Sequence, residues 1–397
     1  MNTQTIPYGR HKIYDEDVKA IIDTLRSDFL TQGPKIDEFE RELSKYCKAQ
    51  FATSCNSATS ALHLACMALD VQEGDNVWTS ANTFVASANC ALYCNANIDF
   101  IDIDLNTYNI SVKNLREKLI AAKVKKALPK VIIVVHFAGL PCDMEEIYEL
   151  SKTYNFKIIE DASHALGGKY IDEPIGNCKF SEITVFSFHP VKMITTGEGG
   201  ACLTNNAVLD ERLKLMRTHG ITRSMKSLEA NQNDELWAYQ QIQLGFNYRM
   251  SDLEAALGTS QLSKIDYFVD KRRIIAAKYG ELLKNLPIDI QYEDHQKKSS
   301  YHLYCITFQK SETKITQKEL HDYMKSQNIA VNLHYIPVYL QPYYRKMGFE
   351  RGHCPNAEQY FHTCVSLPIF PDLTDSCQTH VADCLKFILG ENGHYKK

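Results

Sequence analysis

From about residue 51 to residue 205 the chain alternates between two hydrophobic patterns. That alternation constrains the fold more than any other feature. Short apolar runs, often β-branched, occur at Asn76–Thr79, Ile98–Ile101, Val131–Val135, Lys157–Ile159 and Ile183–Phe186. Between several of them lie stretches with helical spacing: Ala58–Leu69, Thr83–Cys94, Val112–Ala122 and Met144–Tyr154. Alternating strands and helices predict an α/β fold whose mostly parallel sheet is covered by helices on both faces. Ligands of such sheets sit at the carboxyl ends of the strands. Asp161 and Ser187 both fall at such ends.

The flanking segments read differently. Residues 14–26 and 35–46 carry apolar side chains at helical spacing, with Leu30-Thr-Gln-Gly33 as a break between them. Residues 251–285 read as one long helical connector closed by Asn285-Leu-Pro287. Beyond it, Tyr301–Phe308 and Ile329–Leu333 are strand candidates, and Thr316–Ser326 and Asp375–Ile388 are helix candidates. A length of 397 residues allows more than one core. The expected division is an N-terminal arm and helix (1–30), a large domain (31–250), a connecting helix (251–285) and a smaller C-terminal α/β domain (286–397).

Several classes are disfavoured. A net charge of -4 gives no reason to expect nucleic acid or an anionic membrane as partner. No apolar run approaches the roughly 20 residues of a membrane span. The segment Met1–Tyr8 lacks a basic-then-apolar leader, so a cytoplasmic location is expected. The thirteen cysteines are scattered, with no CxxC pair and no His at zinc spacing. They point to no metal and no disulfide framework, and most read as small buried hydrophobes.

Chemistry is suggested by a few short segments. Lys192 lies in Ser187-Phe-His-Pro-Val-Lys192-Met-Ile-Thr-Thr-Gly-Glu-Gly-Gly200, just after a strand-like run. Its apolar neighbours favour partial desolvation, which favours a neutral, nucleophilic amine. The glycines beyond it allow backbone to approach a bound ligand closely. A Lys at one strand end and an Asp at another suit a pyridoxal phosphate enzyme. The amine condenses with the cofactor aldehyde, and the Asp161 carboxylate keeps the pyridine nitrogen protonated. Taken singly, Asp161 reads equally as a turn former or helix cap, and His164 as a structural histidine. The segment Cys55-Asn-Ser57-Ala58-Thr59-Ser60 opens a helix and offers hydroxyls and free N–H groups to a phosphate, or serves as a plain N-cap. Ser187 offers another hydroxyl. Phe84 is a ring for stacking or for core packing. Asn247 and Arg249, ahead of Ser251 and Asp252, suit a phosphate or carboxylate.

In their order along the chain, four segments resemble the DegT-type family of sugar aminotransferases, which has the type I fold of pyridoxal phosphate enzymes. They are Asn56–Leu62, Glu160–Gly167, Ser187–Lys192 with Thr195–Ala201, and Gly245–Asp252. The resemblance runs from about Leu30 to Pro371. It implies that Lys192 is the cofactor-linked lysine and Asp161 the pyridine-nitrogen partner. It sets His164 near the phenolic oxygen, Ser57, Ala58 and Ser187 on the phosphate, and Phe84 against the ring. Asn247 would reach into the site of the other subunit of a homodimer. Further details are similar to the branch of the family that works in pseudaminic acid biosynthesis: Tyr8, Phe29-Leu-Thr-Gln-Gly33 and Asn332-Leu-His334-Tyr335-Ile-Pro-Val-Tyr339. That likeness implies amination at C4 of a UDP-linked 4-keto-6-deoxy-N-acetylhexosamine, with L-glutamate as donor. It makes Tyr8, Asp28, Phe29, Leu30, Thr31, Asn332, Leu333, His334 and Tyr335 the nucleotide-sugar contacts. Arg249 is a candidate for the glutamate carboxylate or the sugar diphosphate. Met193 and Gly197 depart from that branch, which tends to have Pro and Ala there, so another UDP- or dTDP-linked keto sugar is the alternative substrate. Dehydratases of this fold carry His in place of the lysine, and Lys192 argues against that reading. A DNA-binding head would need a basic or helix-turn-helix segment before residue 30, and none is present. The flanks of Lys192 suit sugar aminotransferases better than amino-acid or cysteine-desulfurase-like enzymes.

Overall fold

The structure is a computed structural model that describes residues 5–223 and 237–390, apart from 310, 312 and 314. Residues 1–4 and 391–397, the extremes of the expected arm and C-terminal domain, lie outside the described residues.

Seven strands form the central sheet: β1 (Phe51–Cys55), β2 (Asn76–Ser80), β3 (Asn97–Ile101), β4 (Val131–Val135), β5 (Lys157–Asp161), β8 (Ile183–Ser187) and β9 (Gly200–Thr204). Their spatial order is β1-β9-β8-β5-β4-β2-β3. Only β9 runs against the rest. Strand alternation splits each apolar run between two cores. In β4, Val131 and Ile133 enter one cluster, while Ile132 and Val134 enter the other. Helices α3 (Ala58–Ala68), α4 (Ala86–Tyr93) and α7 (Ala207–Met216) contribute to the first core. Helices α2 (Pro34–Cys47), α5 (Val112–Lys125), α6 (Met144–Tyr154) and α8 (Asp252–Leu262) contribute to the second. This two-sided burial is why the strands read as continuous apolar runs.

The apolar segment at Phe51 and the glycine-rich stretch after Lys192 both supply strands that the hydrophobic runs alone did not mark. Gly200 begins β9, where an added Cβ would fall 2.5 Å from the backbone nitrogen of Ala58. The glycine thus lets β9 pack flush against the start of α3. The close approach expected of it is made to the protein's own backbone. Gly197, by contrast, has open space around it and a φ of +86°, so its need is conformational.

The connector is two helices rather than one. Helix α8 opens on a capping box in which Ser251 and Glu254 bond each other's backbone N–H. It ends at Ser263, and α9 (Ile265–Leu283) follows after Lys264, whose φ of -112° and ψ of 4° break the helical path. Buried Asp252 accepts the N–H groups of Gly33 (2.8 Å) and Lys35 (2.9 Å), tying α8 to the start of α2. Helix α1 (Asp15–Leu25) lies against α8 through Asp17, which accepts from Ser260 and Gln261.

The remaining core is built on β12 (Ile288–Ile290), β14 (Tyr304–Phe308) and β15 (Cys364–Leu367), with α10 (Gln317–Ser326) and α13 (Asp375–Leu389). Helix α9 joins the cores: Phe268 and Val269 pack in the sheet core, and Ile275 and Tyr279 in this one. Ile329–Leu333 is not a strand. It makes only single-residue bridges, Ile329 to Ile6 and Asn332 to Ser366, because the chain leaves the sheet edge to enter the site. Short helices α11 (Pro342–Arg345) and α12 (Pro355–Phe361) follow, and two-residue pairings complete the set: β6 (Lys169–Tyr170) with β7 (Glu173–Pro174) and β13 (Lys297–Lys298), and β10 (Ile221–Thr222) with β11 (Gln240–Gln241). All thirteen cysteines are free thiols and eleven are buried, as expected of small hydrophobes. No helix among the described residues is long and apolar enough to cross a membrane.

Candidate active site

A cavity of about 500 Å³ opens where the carboxyl ends of β5 and β8 meet the N-terminus of α3. Lys192 sits in the loop after β8, half-buried, with Nζ 3.4 Å from Nε2 of His302. Burial lowers its amine from the ordinary 10.5 to about 8, against the opposing pull of the Asp161 carboxylate. Roughly a tenth of the amine is therefore neutral at about pH 7, far more than for an ordinary lysine.

Asp161 ends β5 and is 5% exposed. Its Oδ2 accepts from Ser87 Oγ at 2.6 Å, and its Oδ1 accepts from Ser163 Oγ at 2.6 Å and from the Ser163 N–H at 3.1 Å. Ser87 is itself bonded to Thr83 at 2.7 Å. His164 is buried, and its Nδ1 accepts the Ala138 N–H at 3.3 Å. That leaves the ring proton on Nε2, 3.3 Å from the Tyr335 hydroxyl. Burial first, then the positive charge of Lys192, pushes His164 well below its usual range, so it is a neutral imidazole.

Across the cavity, Ser57 caps α3 by accepting the Ser60 N–H. The first N–H groups of a helix lack intrahelical partners, so this end is a ready anion site. Ser187 lies beside it on β8, and Phe84 stands at the rim, 56% exposed, its ring 6.2 Å from Tyr335. The 332–335 segment forms another wall. Tyr335 is anchored by its N–H to Asn82 Oδ1 (3.1 Å), and His334 by Nδ1 to Ser366 Oγ (2.8 Å). Tyr8 comes from the N-terminal arm, with its ring 5.6 Å from His334. The arm is held by the pairing of Ile6 with Ile329.

The cavity thus gathers Tyr8, Ser57, Ala58, Phe84, Asp161, His164, Ser187, Lys192 and Asn332–Tyr335. It does not gather Asp28, Phe29, Leu30, Thr31, Asn247 or Arg249. Asp28–Thr31 and Asn247 are exposed and Arg249 is half-buried, all outside the lining of this chain's cavity. Two residues at the centre were not marked by the sequence. Ser87 lies inside a helix with no motif around it. His302 stands in Ser299-Ser-Tyr-His302-Leu-Tyr304, distant along the chain from Lys192, and the polar run just before a strand is its only local signal. A more open cleft of about 630 Å³ lies beside Asn76 and Trp78. Its one acid–base cluster is already paired, with Asp99 bonded to Lys118 (2.7 Å) and His353 (2.9 Å), and it gathers none of the cavity's lysine, strand-end aspartate or helix N-terminus.

These residues fit pyridoxal phosphate. The site offers an amine, a buried carboxylate whose hydroxyl donors hold it in place, and a helix N-terminus against which a Cβ at Gly200 would not fit. Comparison with known proteins agrees. Residues 11–386 match the model of the DegT/DnrJ/EryC1/StrS aminotransferase family. A Campylobacter jejuni protein, the UDP-4-amino-4,6-dideoxy-N-acetyl-beta-L-altrosamine transaminase, is 39% identical over 386 residues, covering 97% of each chain. The structure of Helicobacter pylori PseC, an aminotransferase involved in the biosynthesis of pseudoaminic acid, superposes with a TM-score of 0.88 at 29% identity, covering 97% of this chain and 99% of that one. A putative sugar aminotransferase from Streptococcus pneumoniae, solved in its PLP-form, superposes with a TM-score of 0.86 at 28% identity, covering 98% and 99%. The chain belongs to the DegT/DnrJ/EryC1/StrS aminotransferase family.

Proposed function

We propose that this chain is a pyridoxal phosphate-dependent aminotransferase that moves an amino group from L-glutamate to C4 of a UDP-linked 4-keto-6-deoxy-N-acetylhexosamine, UDP-2-acetamido-2,6-dideoxy-β-L-arabino-hex-4-ulose, in pseudaminic acid biosynthesis. The observation that carries the chemistry is the Lys192 amine, lowered to about 8, in one cavity with buried Asp161 and the N-terminus of α3. The 39% identity to the altrosamine transaminase supports the substrate.

Pyridoxal phosphate, when bound, supplies an aldehyde that takes up an amino group and a protonated pyridine that draws electrons from the carbon being deprotonated. Asp161 would hold the pyridine N–H. Ser57, the Ala58 N–H and Ser187 would hold the phosphate. His164 would face the phenolic oxygen, and Phe84 the ring. Lys192 accepts a proton at Nζ from the amino donor and returns one to C4 of the sugar in the second half-reaction. An amine near 8 does both jobs, because neither protonation state is rare at neutral pH. Tyr8 and Asn332–Tyr335 would contact the nucleotide sugar. Asn247 and the Asp28–Thr31 stretch would serve the site of a second copy in a homodimer.

The test is incubation with glutamate and a panel of UDP- and dTDP-linked keto sugars, read by product mass. A mass matching the C4-amino sugar from the L-arabino-hex-4-ulose is expected. An amino product from another keto sugar alone would replace the substrate, and none from any would remove the function. Lys192→Ala is expected to keep fold and cofactor but lose turnover.

A further inference from the structure

The Lys192 amine has a polar neighbour, His302, to which the proposed mechanism gives no part. His302 is 4% exposed, its Nε2 faces Lys192 Nζ at 3.4 Å, and its ring lies 4.4 Å from that of His164. Its Nδ1 is buried and has no hydrogen-bond partner. The backbone around it is held from behind by Arg272 of α9, which is 1% exposed. Arg272 Nη1 donates to the carbonyls of Tyr301 (3.2 Å), His302 (3.1 Å) and Ile369 (2.9 Å). Among the described residues Arg272 has no carboxylate partner, and its Nε is unbonded. Burying a guanidinium on carbonyl dipoles alone is costly. Tyr301 also adopts a left-handed φ of +51°. Both act on the peptide that carries His302.

We propose that His302 is a positioning residue that holds the free Lys192 amine through a neutral imidazole, and that Arg272 sets this imidazole in place by gathering the surrounding carbonyls. The proposal rests on the reading of Lys192 as the proton carrier. A neutral imidazole suits the task because its Nε2 accepts from the ammonium without adding a competing charge. The ammonium donates to Nε2 while the ring proton sits on Nδ1. Burial, then Lys192, His164, Arg272 and His334, push His302 well below its usual range, so it does not become a competing cation. The groups facing the pair are Asp161 and His164 at the end of β5, His334 and Tyr335 from the opposite wall, and Arg272. Arg10, His11 and Lys12 line a small recess that also reaches Lys192.

The experiment reads the lysine directly. The full chain, freed of cofactor, is labelled with trace acetic anhydride across a pH series, and the Lys192 peptide is quantified by mass spectrometry. The wild-type midpoint is expected near 8. In His302→Leu the ammonium loses its acceptor, so the midpoint falls by about one pH unit, and Lys192 labels about fivefold faster at about pH 7. His302→Gln, whose amide oxygen accepts, restores most of the midpoint, whereas Arg272→Met moves it in the same direction as His302→Leu. An unchanged or raised midpoint in folded His302→Leu overturns the proposal. If that variant does not fold, the His302 ring is followed by nitrogen-15 NMR in the wild type and in Lys192→Met. Loss of the amine is expected to shift Nε2, and an unmoved Nε2 overturns the proposal. Neither readout uses a sugar, so failure of the amination assay with a displaced midpoint would sink the functional reading and leave this one standing.

Discussion

At the scale of residues, the site divides its labour by burial. Asp161 is bonded on both oxygens by hydroxyl groups of Ser87 and Ser163, which aim a charge they cannot neutralise. In Asp161→Asn the side chain keeps its shape but loses the charge that would hold a pyridine proton. Turnover is expected to fall by about 100-fold or more, with cofactor still retained; the checks are kcat by product mass and the cofactor absorbance of the purified variant. An unchanged kcat would remove Asp161 from the mechanism. Lys192, Asp161, Ser57 and Ser187 line one cavity; in the sequence each follows a strand or opens a helix, but singly each reads equally as a cap, a turn former or a solvated charge, and only their order along the chain, through the family resemblance, sets them together. Ser87 and His302 were not legible in the sequence. Their importance lies in what the fold brings against them, and no local periodicity reports a contact between residues so far apart in the chain.

At the scale of elements, β5 carries two acids to two different duties. Successive side chains of a strand point to opposite faces. Asp161 therefore enters the cavity, while Glu160 turns into the other side of the sheet. There it accepts from His136 Nε2 at 2.7 Å, from Ser181 and from Thr184, knitting the ends of β4, β5 and β8 beneath the site. Burial alone would raise the Glu160 carboxyl, but the bond from His136, its charge and the two hydroxyls outweigh this and lower it below the ordinary 4.5. A depressed carboxyl stabilises the fold above its unfolded value, and that contribution is lost as the pH falls through the folded value. Glu160→Gln is expected to cost about 3 kcal/mol at neutral pH, because it leaves His136 buried without its carboxylate. The deficit should shrink below about pH 4.5 as the wild type loses the same contribution. Urea unfolding of both proteins across that range checks it; a deficit that grows on acidification contradicts the sign. Strand and helix identity was largely readable from the alternation, since two-sided burial imprints itself on every strand. What was not readable was β9, whose glycine is chosen for contact with α3, and the bend that takes Ile329–Leu333 out of a strand and into the site.

At the scale of the whole molecule, one chain leaves part of the expected machinery outside its own cavity. Phe29 and Leu30 are 53% and 45% exposed, and Trp237 and Leu244 are 72% and 75% exposed. The first pair lies close to the Asn247 loop: Leu30 accepts the Asp252 N–H, and Thr31 pairs with Ser251. Apolar surface of this kind is what the proposed second copy, related by a two-fold axis, would cover, supplying the same surface in return. The proposed homodimer is tested by Leu244→Glu, which is expected to halve the solution mass in sedimentation and abolish turnover. The sharper prediction concerns which cavity Asn247 serves. Lys192→Ala and Asn247→Ala chains are expected to be impaired as separate homodimers. In a mixed dimer, if Asn247 reaches the partner's cavity, one site carries both defects and the other carries none. Random mixing then restores about a quarter of the wild-type sites. If Asn247 instead serves its own chain, every mixed dimer has one site without its lysine and one without its asparagine, and mixing restores nothing. Turnover measured before and after co-refolding of the two variants separates these cases.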